Sequence, residues 1–319
     1  MLPRYKSYIT QLFALLLFTT VLVSCLSDNI TDPPAEEDDP QISNTESVPA
    51  DGILETVTWN IEWYGSNSRG PGNENLQTKN VLQVVDSLKS DLYAFQEISN
   101  QQELDGLTRY MTGYSGFIAD YVSFNQKMAF VFNTETIDSV SSGSITQNQN
   151  GYDWASGRFP LYFEFDYTYQ NTTIPIYAIA IHAKAFDDQE SYNRRKNAAE
   201  SLYNYLINEK PNAHIIFLGD FNDDMDVSIY NNAETPYKSF VDDTQNFQIA
   251  TLSLSGSGAS STVGYDDMID HIIFSDELFN LYIDDSENVF TDAEDFITNY
   301  GNTTSDHYPV ISKFNITQN

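Results

Sequence analysis

An apolar run that ends in a glycine, a carboxylate and a carboxamide is the feature that most constrains this chain. The run His214–Leu218 predicts a buried strand, and Gly219, Asp220, Phe221 and Asn222 follow it directly. Side chains alternate along a strand, so Asp220 and Asn222 are expected on one rim while Phe221 faces the other way. Open α/β sheets bind their ligands at the carboxyl ends of strands. The stretch therefore predicts a place for a phosphate, a water or a metal ion.

Strands and helices interleave along most of the chain. Alternating or continuous apolar residues predict strands, whereas apolar residues at helical spacing predict helices. Such an order of elements is typical of a mixed α/β sandwich. The predicted strands are 53–60, 91–96, 127–132, 161–169, 174–181, 214–218, 268–274 and 310–314, the predicted helices are 76–88 and 188–207, and the Ser/Gly-rich residues 253–265 are predicted as a loop.

Polar residues follow or begin several of these apolar strands. A single carboxylate or histidine in such a place is typical of an ordinary loop, but six groups at the rims of strands are not. Together they bring carboxylates, amides and histidines, the groups used in metal-assisted hydrolysis of phosphoesters. The six groups are Asn60 with Glu62, Gln96 with Glu97, His182, Asp220 with Asn222, Asp270 with His271, and Asp306 with His307.

These motifs, in this order, resemble those of the endonuclease/exonuclease/phosphatase superfamily, which includes pancreatic deoxyribonuclease, abasic-site endonucleases and bacterial sphingomyelinases. The resemblance covers about residues 53–315. It implies a four-layer α/β/β/α sandwich, in which two mixed β-sheets lie face to face with helices outside, and an active site at one edge of the sheets. It rests on WNIE at 59–62, QE at 96–97, GDFN at 219–222, DH at 270–271 and SDH at 305–307.

The resemblance also implies a metal site, for Mg²⁺ or alternatively Mn²⁺ or Ca²⁺. Glu97 matches the main metal ligand, and Asn60 matches the amide beside that metal and the scissile phosphate. Glu62 is expected either to act at the metal or to be an ordinary rim carboxylate, and Asp306 is expected on the metal side. Carboxylate oxygens are the ligands that Mg²⁺ prefers, and it keeps several waters when bound to proteins.

The catalytic residues implied by the resemblance centre on His307. Asp270 matches the carboxylate that orients this histidine, fixes its tautomer and stabilises its charged form. Asp220 and Asn222 match the motif that positions the attacking water and the phosphate oxygens. Whether Asp220 or His307 is the general base stays open, and His271 is expected to be a structural neighbour only.

His182 matches a second histidine, which contacts the phosphate in the deoxyribonuclease-like branch. That branch pairs the histidine with a glutamate, but this chain has Gln126 at the corresponding position. Glutamine is expected to orient His182 without stabilising its charge, so phosphate binding is retained and a general-acid role is in question. Arg158 and Lys184 match bases that secreted members place near the phosphate. Arg194–Lys196 are instead expected on a solvated helix face.

The strongly acidic composition bears on the substrate. The chain has 46 acidic and 15 basic residues and a net charge of −31, which repels nucleic acid at long range. Divalent cations can invert the local field. We expect a monomeric, Mg²⁺-dependent phosphodiesterase, foremost a nuclease, for which short oligonucleotides suit this field better than long duplexes. The alternatives are a sphingomyelinase, with Tyr152 and Trp154 as candidates for an exposed aromatic hairpin, a small-phosphoester phosphatase, and a non-enzymatic surface binding module.

The first 51 residues predict a leader and a tether before the domain at 52–319. Residues 1–25 have the charged and apolar regions of a signal peptide, and Leu22–Cys25 resembles the bacterial lipobox, with an ordinary signal peptide as the alternative. Residues 26–51 are polar and acidic, which predicts a disordered tether. We therefore expect a lipid on Cys25 that anchors the protein in the cell envelope, at the outer membrane and even on its surface. The alternative is a secreted protein. Cys25 is the single cysteine, which excludes an intramolecular disulfide.

Overall fold

Two six-stranded sheets form the centre of the protein, whose computed structural model describes residues 42–318. The first sheet contains β1 (Ile53–Tyr64), β2 (Leu92–Ile98), β3 (Tyr114–Ile118), β4 (Lys127–Asn133), β11 (Asn288–Val289) and β12 (Val310–Asn315), in the order β11-β12-β1-β2-β4-β3. The second contains β5 (Ile137–Ser144), β6 (Leu161–Tyr169), β7 (Thr172–His182), β8 (Ile215–Asp220), β9 (Phe247–Ile249) and β10 (Asp270–Ser275), in the order β5-β6-β7-β8-β10-β9. In each sheet one central pair is parallel, β1 with β2 and β7 with β8, and the other pairs are antiparallel.

Residues 42–318 also contain three longer α-helices and four short ones. Asn73 and Asp188 cap the first and third helices, because each side chain accepts a hydrogen bond from the backbone N–H three residues on. The helices are α1 (Glu74–Leu88), α2 (Gln101–Thr108), α3 (Gln189–Glu209), α4 (Lys238–Asp242), α5 (Leu252–Ser257), α6 (Ala293–Phe296) and α7 (Tyr300–Thr303). Among these described residues, no helix is both long and apolar enough to cross a membrane.

The period-two pattern of the strands divides the apolar residues between two cores. In β7, Ala178 and Ala180 face the core between the sheets, while Ile179 and Ile181 pack on the outer side with Leu202 of α3. Helix α1 packs against the first sheet through its buried residues, which include Val81, Val84 and Val85. This arrangement is the α/β/β/α sandwich that the sequence predicted, and the fold class is confirmed.

The parallel pairs bring the predicted polar residues to one edge. Asn60 is in register with Gln96 across β1 and β2, and His182 is in register with Asp220 across β7 and β8. Asp270 begins the antiparallel strand β10 and is also opposite Asp220. The carboxyl ends of the parallel strands therefore meet the first residues of their antiparallel neighbours.

Two segments differ from the sequence prediction. Residues 253–257 lie in helix α5 rather than in a loop, since Leu254 packs against the larger hydrophobic core and Gly258 ends the helix at φ +75°. Residues 42–51, predicted as the end of the tether, pack on the domain instead. Thr45 N–H donates to the carbonyl of Tyr110 at 2.8 Å, and the carbonyl of Val48 accepts a hydrogen bond at 2.9 Å. The predictions for residues 1–41 lie outside the described residues.

Candidate active site

A cleft of about 530 Å³ opens at this edge of the two sheets. All ten predicted site residues lie in it or directly behind it. Asp270 is the one behind, completely buried against His307. The nine that line the cleft are Asn60, Glu62, Glu97, Arg158, His182, Asp220, Asn222, Asp306 and His307.

Gly219 is required for the strand end that carries Asp220. Its φ is +152°, and an added Cβ would lie 2.3 Å from the carbonyl oxygen of Ile181 on the neighbouring parallel strand. Only glycine permits so close an approach of the two backbones. After it, Asn222 adopts φ +52° and donates its backbone N–H to Asp220 Oδ1 at 2.9 Å. The motif thus fixes the Asp220 carboxylate through its own turn.

His307 and Asp270 form a buried pair. His307 Nδ1 lies 2.7 Å from Asp270 Oδ2, and the Ser261 hydroxyl donates to the same oxygen at 2.7 Å. Burial opposes a positive charge on His307, but the charges of Asp270 and Asp220 outweigh it and raise the pKa of the imidazole well above its ordinary value. The structure therefore supports an imidazolium whose Nε2 faces the cleft.

Asp220 belongs to the second sheet and lies close to site residues that the first sheet carries. Its Oδ2 accepts a hydrogen bond from Asn60 Nδ2 at 3.1 Å and lies 3.9 Å from His307 Nε2. Burial raises the pKa of the Asp220 carboxyl to about 7, although the charge of His307 acts in the opposite direction. A carboxyl group with that pKa can exchange a proton near neutral pH.

Three further carboxylates, those of Glu97, Glu62 and Asp306, line the cleft. Glu97 accepts hydrogen bonds from Trp63 N–H at 3.0 Å and from Gln126 Nε2 at 2.7 Å, and burial raises its pKa. Burial, followed by the charges of Asp306 and Glu97, raises the pKa of Glu62 to about 7. A cation among these oxygens would remove that repulsion, and oxygen donors are what Mg²⁺ binds.

Among the described residues, the carboxylate and histidine atoms that lie close enough together to share one ion belong to a different set. One ligand atom each from Asp220, Asp270 and His307 lie within 4.8 Å of one another. The hydrogen bond between His307 and Asp270 already occupies the two facing atoms of that pair. We therefore favour Glu97, Glu62 and Asp306, with Asn60 beside them, as the residues that would hold a metal.

The environment of His182 differs from the prediction. Gln126 donates to Glu97 and not to His182, because the bulge at the end of β2 turns Glu97 towards the start of β4. His182 Nδ1 has no hydrogen-bond partner among the described residues, and Nε2 lies 3.5 Å from Asp220 Oδ2. Burial, then the charge of Arg158, lowers the pKa of His182 well below its ordinary value. The lowered pKa favours the neutral imidazole, although Nε2 also lies 3.8 Å from Glu97 Oε1.

Arg158 and Asn222 hold the end of β7 as well as lining the cleft. Arg158 donates from Nε to the His182 carbonyl at 2.7 Å and from Nη2 to the Ala183 carbonyl at 2.9 Å. Burial lowers its pKa to about 10, so the guanidinium remains charged at neutral pH. A guanidinium has five N–H donors, so others are left for an oxygen in the cleft. Asn222 Nδ2 also donates to Ala183, at 3.3 Å.

The expectation of a solvated face for Arg194 and Arg195 is wrong. Arg195 is completely buried and pairs with Asp223 at 2.7 Å. Arg194 donates to the Tyr152 carbonyl, packs on the Tyr152 ring and lines the cleft. The signal was in the sequence, since Arg195 precedes the inward residues Ala198 and Leu202 by three and seven positions.

Several supporting residues were not predicted. Ser305 Oγ donates to the Asn60 carbonyl at 2.6 Å and accepts from His307 N–H at 2.9 Å, which its place in the SDH motif could have indicated. Ser261 had no signal beyond a Ser/Gly-rich composition. The aromatic residues Trp63, Phe124 and Phe186 line the cleft without any signal in the sequence. His271 is a buried structural neighbour, as expected, with its pKa lowered to about 4 by burial.

Backbone strain is concentrated here. Among residues 42–318, 14 residues other than glycine have a positive φ. Half of them line the cleft, and strained conformations of this kind cluster at functional sites. They are Glu62, Trp63, Glu97, Ala155, Ser156, Phe186 and Asn222.

The two-sheet sandwich with carboxylates and an oriented histidine at one edge defines a phosphoester-hydrolysing class of protein. Residues 57–307 match the family described as Endonuclease/Exonuclease/phosphatase family, and this chain belongs to it. Members of the family hydrolyse phosphoester bonds and generally depend on a divalent metal. A comparison with curated proteins found no match.

Solved structures share the fold at low sequence identity. The human Nocturnin catalytic domain with bound sulfate is 18% identical with a TM-score of 0.59, covering 82% of this chain and 94% of that one. Humanized D. rerio TDP2 is 14% identical with a TM-score of 0.62, covering 83% and 100%. Bacteroides thetaiotaomicron mannosyl-6-phosphatase Bt3783 is 16% identical with a TM-score of 0.55, covering 81% and 98%. At these identities the likeness concerns the fold.

Proposed function

We propose that this chain is a Mg²⁺-dependent phosphodiesterase that hydrolyses nucleic acid. The observation that carries the proposal is the His307–Asp270 pair, whose His307 Nε2 lies 3.9 Å from the Asp220 carboxylate in the cleft. An oriented imidazolium and a carboxyl group with a pKa near neutrality are the two proton-transfer groups that in-line attack by water needs. A binding module would not require both.

The metal would be held by Glu97, Glu62 and Asp306. When bound, it would polarise the phosphate oxygens and stabilise the charge that develops on them. The chain's own part at this point is to fix the ligands, since Trp63 N–H and Gln126 both donate to Glu97.

Asp220 is the proposed general base. Its pKa of about 7 suits proton abstraction near neutral pH, and Asn60 holds one of its oxygens in place. The raised pKa of His307 favours the imidazolium, which has no free lone pair to act as a base. It instead donates from Nε2 to an oxygen of the phosphoryl group as negative charge develops.

Two other residues complete the phosphate site. Arg158 supplies a fixed positive charge, and guanidinium groups are suited to phosphate oxygens. Neutral His182 offers a hydrogen bond without a charge. Burial and the charge of Arg158, which lower the pKa of His182, therefore oppose a general-acid role but not a contact with the phosphate.

Nucleic acid is favoured by where the scarce bases lie. Four of the 13 lysines and arginines in residues 42–318 line the cleft, namely Arg69, Arg158, Lys184 and Arg194. The cleft also contains four carboxylates, so its bases, together with a bound divalent metal, would make it less acidic than the exterior for a polyanion that enters the site. Of the two aromatic residues expected for the sphingomyelinase alternative, Trp154 is buried and donates to Gln149, which counts against an aromatic hairpin, whereas Tyr152 is 53% exposed.

The test is a panel of substrates with the full-length chain. Single-stranded DNA, duplex DNA, RNA, sphingomyelin, bis(p-nitrophenyl) phosphate and mannose 6-phosphate are each incubated with Mg²⁺, Mn²⁺, Ca²⁺ or EDTA. We expect hydrolysis of nucleic acid and of the synthetic diester, abolished by EDTA. Hydrolysis of mannose 6-phosphate or of sphingomyelin alone would overturn the proposal that nucleic acid is the substrate. No turnover of any compound would overturn the proposal that the chain is an enzyme.

Matched variants tie the activity to this cleft. Glu97→Gln and His307→Ala are expected to lower kcat by at least about 10²-fold, because the first weakens the proposed metal site and the second removes the donor to the phosphoryl oxygen. Glu164→Gln is the control, since that carboxylate pairs with Lys210 and lies outside the cleft. Circular dichroism verifies that all three variants are folded. Unchanged rates in the first two would contradict the assignment.

For location, we propose that a lipid on Cys25 anchors the protein in the cell envelope. The support is the order of charged, apolar and small residues in positions 1–25. Mass spectrometry of the mature N-terminus and detergent partitioning of wild type and Cys25→Ser test it. Recovery of unmodified Cys25, or of a signal peptide cleaved elsewhere, would refute the anchor.

A further inference from the structure

An aromatic ring and an ammonium group on one rim of the cleft have no part in the proposed hydrolysis. Phe186 lies between β7 and α3 and is 69% exposed. Lys184 Nζ lies 4.2 Å from the centre of the Phe186 ring. Both residues line the cleft that contains Asp220 and His307. Their position beside the phosphate site makes them available to the rest of a substrate.

The segment that carries Phe186 is held from beneath. Buried Arg195 donates from Nη1 to the carbonyls of Lys184 at 2.7 Å and Phe186 at 2.8 Å, and it is itself paired with buried Asp223. Phe186 has φ +86°, which a residue with a side chain rarely adopts. Such a conformation persists only when its surroundings hold it. The ring is therefore a fixed platform rather than a loose loop tip.

The other sheet contributes a similar pair to the same cleft. Trp63, at the end of β1, is half-buried at φ +51°, and the guanidinium of Arg69 lies 4.5 Å from the centre of its ring. Trp63 N–H donates to Glu97, so this ring is tied to a proposed metal ligand. Each sheet thus places one aromatic ring with one cation at the site.

We propose that the Phe186–Lys184 pair binds a nucleoside attached to the scissile phosphate, with the base stacked on Phe186 and a flanking phosphate at Lys184. The inference rests on the proposed function and narrows its substrate to single-stranded nucleic acid. Every base has a π face, so stacking on an aromatic ring tolerates any sequence, whereas the faces of bases in a duplex are already stacked on their neighbours. A sugar phosphate has neither a planar ring nor a flanking phosphate.

Two esters with one leaving group isolate the nucleoside. The full-length chain with Mg²⁺ is assayed on thymidine 5′-(p-nitrophenyl phosphate) and on methyl p-nitrophenyl phosphate. Stacking of one base contributes about 5- to 150-fold, so we expect the thymidine ester to have the higher kcat/KM by that factor. Phe186→Ala should remove the advantage and leave the methyl ester within about twofold, since its phosphate site is intact. Phe186→Trp should keep the advantage.

The control for losing an exposed aromatic ring is Phe296→Ala, because Phe296 is exposed and lies outside the cleft. It should change neither ester. Equal kcat/KM values for the two esters, or a thymidine advantage that survives Phe186→Ala, would overturn the inference while the hydrolytic function stands. Hydrolysis of neither ester would instead overturn the hydrolytic function.

Binding measurements test the Phe186 platform even if neither ester is hydrolysed. Calorimetry measures thymidine 5′-monophosphate, methyl phosphate and mannose 6-phosphate on wild type and Phe186→Ala. Tighter binding of the thymidine compound that Phe186→Ala weakens by about 5- to 150-fold supports the platform. A loss confined to mannose 6-phosphate, or no loss for any ligand, overturns it.

Discussion

Replacement of Glu55 by glutamine should change how stability depends on pH. Glu55 lies near the start of β1, at the opposite end of that strand from Asn60. Its side chain is only 16% exposed and its backbone N–H donates to Asp91, a buried carboxylate, at 3.2 Å. Lys313 is 3.4 Å away and exposed, so it neutralises the pair weakly. The carboxylates of Glu55 and Asp91 therefore lie close together in a poorly solvated region outside the active cleft.

The size of the effect follows from the pKa of Glu55. Burial, followed by the charge of Asp91, raises this pKa to about 7 from the ordinary 4.5. Each unit corresponds to about 1.4 kcal/mol, so ionisation of Glu55 in the folded protein costs roughly 3 kcal/mol. Between these two pKa values the folded state binds a proton that the unfolded state has released, and the free energy of unfolding therefore falls as the pH rises from about 4.5 to 7. Above pH 7 the loss is complete.

Urea unfolding followed by tryptophan fluorescence, at intervals between pH 4.5 and 8, measures the effect on the full-length chain. The free energy of unfolding of Glu55→Gln, relative to wild type, should rise by roughly 3 kcal/mol across this range. Glu164→Gln is the control with the opposite sign, since hydrogen bonds from Lys210 and Ser141 lower the pKa of Glu164. A difference for Glu55→Gln that stays constant with pH would refute the reasoning. Hydrolysis should be unchanged.

Three further changes test the site and its support. Gly219→Ala should lower the free energy of unfolding by about 2–5 kcal/mol, because the added Cβ would meet the Ile181 carbonyl. Urea unfolding measures this change, and a loss of under about 1 kcal/mol would contradict the claim that position 219 requires glycine. Asp270→Asn should lower kcat about 10²- to 10⁴-fold with little change in KM and stability, since the imidazolium loses its partner; an unchanged pH–rate profile would count against it. Arg195→Met should cost about 3–5 kcal/mol by leaving Asp223 buried and unpaired, and the double variant with Asp223→Asn should recover part of this loss if the pair is responsible.

Much of the candidate site could be predicted because its residues follow apolar strands. Parallel neighbours end at one edge of a sheet, so Asn60 had to lie near Glu97, and His182 near Asp220, once their strands paired. Stacking of the two sheets then brings Asn60 to Asp220. The same periodicity predicted the layers, since alternate residues of β7 face two different cores. Edge strands such as β5, with mostly exposed polar residues, carry too little apolar period to be found in this way.

The sequence by itself determined the sandwich, the family and the edge at which the polar residues meet, because strand periodicity and strand ends are local properties. Only the tertiary structure decided which group each side chain contacts. Gln126 bonds to Glu97 rather than His182, Arg195 enters the interior to hold the segment of Phe186, and residues 42–51 pack on the domain. The physical reason is that hydrogen bonds depend on strand register, bulges and backbone twist over a few ångströms, which segments distant in the chain set jointly.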